Sequence, residues 1–286
     1  KSKSKTLILN KIISKNKNID YKIAVPTYKR YDTFKNKTFK LLTDYKIPSK
    51  NIYIFVANNE EKVLYEKVLD KSKYNKIIVG KKGLKNQRNF ISNYFNEGAF
   101  IIQLDDDLDG LYTLKYKNNI IKTENKLIKL PNLEKLIYDA YGIMKKYDIY
   151  LFGIYPVHNP FFMSNKITTK LKFIVGPFFG IINRKNKKFK LDFDEKEDVL
   201  RTLIHYKEDS RVLRFNNVCL KTSYYKEQGG MQAEKKDRKV EALKSAHILI
   251  KRYPNFTKLN LTKKSGHPEV RLYDKTPKYK NINIKL

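Results

Sequence analysis

The chain has 286 residues, enough for one large domain or two small ones with a sizeable buried core. Its formal charge is +32, yet 41% of the residues are hydrophobic and 13% aromatic, which excludes a disordered basic tail and puts the charge on a folded body. No apolar run reaches the roughly 20 residues that cross a bilayer, the basic start Lys1–Lys5 lacks the apolar stretch of a secretory signal, and a single cysteine, Cys219, excludes an internal disulfide and a Cys-based zinc site.

Residues 1–20 are a Lys/Asn/Ser-rich lead-in. Tyr21–Val25 then reads as a buried strand closed by Pro26, and residues 33–45 carry Phe34, Thr38, Leu41, Leu42 and Tyr45 at helical spacing. Asn51–Ala57 is a second strand, and Glu60–Leu69 a helix with Val63, Leu64, Val68 and Leu69 on its apolar face. Lys76–Val79 is a third strand, Leu84–Asn96 a helix, and Ala99–Leu104 a fourth strand. Strands alternating with helices in this way make βαβ units, so the fold class is α/β with a mainly parallel sheet flanked by helices.

The second half is less regular. Asn132 caps a helix through Tyr147 with Leu133, Leu136, Ile137, Ala140, Tyr141 and Met144 on one face. Strand-like runs follow at Ile149–Ile154, Lys172–Val175 and Phe178–Asn183. Asp194 and Glu197 form a capping-box pattern that opens a helix over 195–206. Arg211–Leu220 alternates like a strand, Gln232–Tyr253 reads as a last long helix, and residues 255–286 as a basic tail.

Asp105, Asp106 and Asp107 follow the fourth strand directly, with Asp109 close behind. Ligands of open α/β sheets collect beyond the carboxyl ends of strands, and adjacent carboxylates there repel one another unless a cation intervenes. On extended backbone Asp105 and Asp107 point the same way, and all-oxygen ligation suits Mg²⁺ or Mn²⁺. An ion with so few protein ligands completes its shell with phosphate oxygens, which points to a nucleoside diphosphate donor. No P-loop and no Gly-x-Gly-x-x-Gly pattern occurs to suggest an NTPase or a dehydrogenase.

Ile-Ala-Val-Pro-Thr-Tyr-Lys-Arg (23–30), Ala-Asn-Asn-Glu (57–60), Gly-Leu-Lys-Asn-Gln-Arg-Asn (83–89) and Leu-Asp-Asp-Asp (104–107) together resemble the GT-A nucleotide-sugar glycosyltransferases, over roughly residues 21–112. Within that group the chain resembles the TET/JBP-associated, base J type DNA glycosyltransferases of phages and large DNA viruses. The resemblance implies a single GT-A domain, with 21–112 its nucleotide-sugar-binding half and 113–254 an elaborated acceptor half. It implies a hexose, glucose first, moved from a UDP-sugar to a hydroxymethylated pyrimidine in DNA, inside a host cell's cytoplasm or nucleus.

Carried over by position, Pro26, Thr27 and Arg30 face the nucleotide, Asn58 and Glu60 the base or ribose, and Gly83, Gln87, Arg88, Asp105 and Asp106 the sugar and diphosphate. Asp105 and Asp107 hold the metal, with His267 as a third ligand. Asp198, with Glu197 second, stands as the general base. His158, Phe178, Phe179, Gly229 and Gly230 are the acceptor-side candidates, since aromatics beside lysines suit an unstacked base. The charge of +32 favours nucleic acid as partner. The abundance of Lys, Asn and Ile with little Arg is also what an A+T-rich genome produces, which leaves a glycan or protein acceptor open. A basic DNA-binding module without enzymatic activity is the third reading, and it leaves the Asp cluster unexplained.

Overall fold

The computed structural model describes residues 19–115, 126–222, 230, 237–261, 268–282 and 284–285. The basic lead-in, Gly229, the start of the expected last helix and His267 lie outside the described residues.

The first four strands are β1 (Tyr21–Pro26), β2 (Ile52–Val56), β3 (Lys76–Val79) and β4 (Phe100–Leu104). They stand side by side in the order β3-β2-β1-β4, every pair parallel. Their continuous apolar runs are what a sheet covered on both faces requires; β4 is buried at every position. Three helices make the crossovers. Helix α1 spans residues 31–44, with a π turn at Lys35–Phe39; α2 is Asn59–Val68 and α3 is Leu84–Tyr94.

The α2 register differs from the expected one. Val63 and Leu64 are exposed, and Glu61 and Tyr65 face inward. The two polar side chains reach under the β1 turn, where Glu61 accepts from Lys29 N and Tyr65 meets Thr27. Long-range hydrogen bonds thus override the apolar stripe.

Beyond β4 the sheet turns mixed. β5 (Leu108–Lys115) and β6 (Lys126–Lys129) make an antiparallel pair, and α4 (Leu133–Tyr147) starts at the Asn132 cap and buries Leu133, Leu136, Ile137, Ala140, Ile143 and Met144. Full burial of side chains of this kind is worth roughly 1.5–3 kcal/mol each. β7 (Leu151–Tyr155), the short β8 (Lys166–Thr168), β9 (Phe178–Ile182) and β10 (Leu213–Thr222) extend the sheet as β8-β10-β7-β9-β4. β9 runs antiparallel to both β4 and β7, so β7 is parallel to β4 and their carboxyl ends share one edge. Residues 172–175, expected as a strand, form no ladder and run as an irregular segment into Gly176.

Helix α5 (Glu197–Asp209) packs on the α3 face, and α6 (Arg238–Arg252) packs against α5 together with a hairpin of β11 (Thr257–Asn260) and β12 (Glu269–Leu272). β13 (Ile284–Lys285) pairs with β8. Parts of the segment expected as a basic tail thus join sheets, as β11, β12 and β13. Asp194 does not cap α5: its carboxylate accepts from Lys85 N at the start of α3, 2.8 Å away, and Lys196 stands at the α5 N-cap in the left-handed region. Cys219 is buried. Among the described residues no helix is long and apolar enough to cross a membrane.

Candidate functional site

Because β1 and β4 are adjacent and parallel, the turn after each emerges at the same edge. Thr27 and Arg30 come from the first, and Asp105, Asp106 and Asp107 from the second. Thr38, in the π turn of α1, clips the acidic turn in place by donating to Asp105 O (2.7 Å) and accepting from Leu108 N (3.0 Å).

Each aspartate has its own partners. Asp106 is buried; its Oδ2 accepts from Thr27 Oγ1 (2.7 Å) and its Oδ1 from Arg30 Nη1 (3.0 Å). Thr27 has one proton and gives it to Asp106, so Tyr65 Oη, 2.5 Å away, is the donor to Thr27. Asp107 accepts from Arg30 Nη1 (3.2 Å) and Thr222 Oγ1 (3.0 Å). Asp105 turns the other way, to Arg88 Nη2 at 2.7 Å. Burial, and then the charges of Asp105 and Asp106, push the Asp107 carboxyl up to about 7. Burial raises Asp106 as well, against the pull of Arg30 and Thr27.

The expected alternation of Asp105 and Asp107 along extended backbone does not apply, because residues 105–107 lie past the end of β4 in the bend to β5. Among the described residues no three His, Cys, Asp or Glu side chains converge on a point that could hold an ion. What the turn does offer is hard oxygen donors, with three carboxylates set against two arginines. Carboxylate oxygens of this kind suit a hard divalent cation, but Asp105 and Asp107 face different partners, Arg88 for the first and Arg30 with Thr222 for the second.

Arg88 links the turn to α5. It is buried, donates from Nη1 to Gln103 Oε1 (3.0 Å) and from Nη2 to Gly176 O (3.2 Å), and its Nε lies 4.0 Å from Glu197. Glu197 is buried and pairs with Arg201 Nη1 at 2.5 Å; the Arg201 guanidinium lies 3.5 Å from the centre of the Phe179 ring. Asp198 accepts from Gly176 N (3.3 Å). Burial raises both acids, against Arg201 in each case. A Cβ at Gly176 would come within 3.1 Å of Glu197 Oε1, so glycine is what lets this backbone touch both acids.

One turn further along α5, His205 accepts through Nδ1 from Arg184 Nη2 (2.7 Å). Burial is the main cause that lowers its pKa to about 4. An unfolded histidine titrates near ~6.5. Between these values the unfolded chain binds a proton that the native chain refuses, so stability falls as pH drops from about 6.5 to about 4. Urea midpoints at pH 7 and pH 5 are expected to show a loss of roughly 1–3 kcal/mol that is smaller in His205→Gln.

The remaining candidates divide. Pro26 closes β1 beside Thr27. Gly230 approaches the site: its N–H donates to Tyr28 O, and a Cβ there would meet the Arg30 guanidinium at 3.0 Å. Gly83 starts α3 at φ +90°, a conformation glycine permits. Asn58 caps α2 by accepting from Glu61 N, and Glu60 is exposed on the first turn of that helix. Gln87 is buried with its amide engaged at both ends, by Lys81 N and Val56 O, so it braces the loop before α3.

Phe178 and Phe179 lie in the expected strand, β9, and are core residues rather than acceptor-side aromatics: alternate positions of a central strand point into the two packed layers. The loop after β7 is different. Val157, Phe161 and Phe162 are exposed, and His158 packs edge-on to Tyr112 at 4.6 Å. The sequence reading missed Tyr65, Thr222, Gln103 and Arg201. Only Arg201 carried a signal, as a basic residue one helical turn after Glu197.

No protein-family model and no curated protein matches the chain. Among solved structures it is similar to S. aureus TarS 1-349, with 15% identity over 71% of this chain and 59% of that one at a TM-score of 0.47. A further S. aureus TarS structure matches with 15% identity over 71% of this chain and 36% of that one, at 0.46. UDP-glucose pyrophosphorylase complexed with UDP-glucose matches with 9% identity over 72% and 92%, at 0.35. The chain thus spans less than two thirds of the length of either TarS structure. The α/β class rests on the strand order and pairing described above.

Proposed function

We propose that this chain is a metal-dependent glycosyltransferase of the GT-A type. It moves a hexose, glucose first among candidates, from a UDP-sugar to the hydroxyl of a hydroxymethylated pyrimidine in DNA. The acidic turn carries the reading: three carboxylates stand at the carboxyl edge of the parallel strands, opposed by two arginines, with Asp105 the most open of the three.

Asp105 and Asp107 are the residues that hold the divalent cation. When bound, it neutralises the charge that develops on a departing diphosphate. The protein's own groups do the rest. Arg30 and Thr27 fix Asp106 and with it the shape of the turn. Arg88 holds Asp105 toward the edge and ties it to Gly176. Asp198 takes the acceptor hydroxyl's proton at a carboxylate oxygen, and the rise that burial gives its pKa makes it a stronger base. Glu197, locked between Arg201 and Arg88, positions these groups. On the acceptor side, Phe161, Phe162 and His158 present aromatic faces on which an unpaired base can stack, and the charge of +32 draws a polyanion.

The test is mass spectrometry of nucleosides from hydroxymethylated DNA incubated with the protein, Mn²⁺ and a panel of UDP-sugars. The expected result is a hexosyl increment on the hydroxymethyl nucleoside with one sugar. Unmodified DNA beside transfer to glycan or protein hydroxyls would overturn the acceptor and keep the reaction type.

A further inference from the structure

Arg214 stands on β10 with 8% of its surface exposed. Its guanidinium is held firmly: Nε donates to Asn216 Oδ1 (2.7 Å), Nη1 to Phe173 O (3.4 Å), and its carbon lies 5.2 Å from the centre of the Tyr155 ring. Asn216 is itself fixed, donating to Lys166 O (2.9 Å) and Thr168 Oγ1 (3.1 Å). The other two fully buried arginines, Arg88 and Arg201, each have a carboxylate partner. Among the described residues no carboxylate pairs with Arg214.

Lys172 is half-buried beside it, adjacent in sequence to the Phe173 whose carbonyl Arg214 grips. Burial and then the Arg214 charge lower its pKa, and no described carboxylate pairs with it either. A buried guanidinium without a counter-ion is costly, and a neighbouring cation adds to the cost. A guanidinium preorganised by neutral partners, with a lysine next to the Phe173 whose carbonyl it holds, is an arrangement that takes a phosphate group.

The place suits an acceptor. Tyr155 ends β7 at the same sheet edge as the acidic turn and opens the loop that exposes Phe161 and Phe162. Phe173 lies three residues before Gly176, whose backbone touches Asp198 and Arg88; three residues span at most roughly 10 Å.

We propose that Arg214 and Lys172 seat a phosphate group of the acceptor, a backbone phosphate of a nucleic-acid strand, within reach of the transfer site. That the phosphate belongs to an acceptor rests on the transferase reading; the seat for a phosphate does not.

The test uses the full chain and the variants Lys172→Gln and Arg214→Gln. Anisotropy of a labelled single-stranded oligodeoxynucleotide is measured across a salt series, thermal shift with inorganic phosphate tests the small anion, and thermal shift with UDP and Mn²⁺ serves as control. Each variant is expected to weaken strand binding about 5–10-fold at low salt and to lower the slope of log affinity against log salt by about one. The UDP response is expected to stay as in the wild type. Lys172 has no hydrogen bond to lose among the described residues, so its variant reads the seat even where Arg214→Gln fails to fold. Wild-type strand affinity and salt slope in Lys172→Gln overturn the strand. Phosphate protection lost in the variants while strand binding persists supports the seat and assigns it to a small phosphate. No response to either probe in the wild type overturns the proposal. A wild type that binds the strand through these residues yet ignores UDP leaves the seat standing and removes the transferase reading.

Discussion

Asp107→Asn is expected to stabilise the protein at neutral pH and, in the same molecule, to lower sugar transfer by about 10³-fold, the equivalent of several kcal/mol of lost charge stabilisation. The stability gain follows from linkage. The Asp107 carboxyl is raised to about 7 in the folded chain, whereas an unfolded aspartate titrates near ~3.9. Across that window the native state holds the proton and the unfolded state does not, so wild-type stability is lost as pH climbs from about 4 to about 7. Asparagine carries no charge to desolvate, keeps an oxygen for Thr222, and leaves Arg30 paired with Asp106. The advantage is on the order of 3–4 kcal/mol at pH 7.5, falls to roughly 1.5 kcal/mol at pH 5 and vanishes only near pH 4. Urea midpoints at pH 7.5 and pH 5 check it; a variant weaker than wild type at both contradicts a raised Asp107 carboxyl.

The adjacent acids of α5 are expected to respond in opposite ways. Removing Glu197, for example as Glu197→Leu, leaves Arg201 and Arg88 buried without their shared carboxylate, and breaking a buried pair costs about 3–5 kcal/mol. Asp198→Asn keeps an oxygen for Gly176 N and leaves the Arg201 pair intact, so the fold should hold while kcat falls roughly 10²–10⁴-fold through loss of the base. Chemical unfolding together with single-turnover transfer separates the two. A stable, inactive Glu197→Leu beside an active Asp198→Asn would reverse the roles.

Much of the N-terminal half was legible because buried parallel strands are uninterrupted apolar runs between breakers. β3 falls on the expected residues, and β1, β2 and β4 within a residue or two. The same logic failed where partners far along the chain decide. Lys172–Val175 is apolar enough for a strand but has no neighbour to pair with, whereas β5, with Asp109 and Gly110 in its first turn, becomes one because β10 lies beside it. Phe178 and Phe179 fall in the expected strand, yet beside Gly176 and Gly180 they read as acceptor-side residues. The glycines serve close packing instead: a Cβ at Gly180 would fall 1.9 Å from the Phe152 ring. In the site, Thr27, Arg30, Arg88 and the aspartates could be picked out as a local pattern. Tyr65 and Thr222 could not, since 38 and 115 residues separate them from the groups they touch.

In the proposed reaction the acidic turn grips a cation together with a nucleotide diphosphate. Calorimetric titration of UDP into the wild type and into the Asp105→Asn/Asp107→Asn double variant, each with and without Mn²⁺, tests it most directly. The wild type is expected to bind saturably and only with Mn²⁺, and the double variant not at all. UDP binding that is indifferent to Mn²⁺ and to both substitutions, or no binding at all, would contradict it.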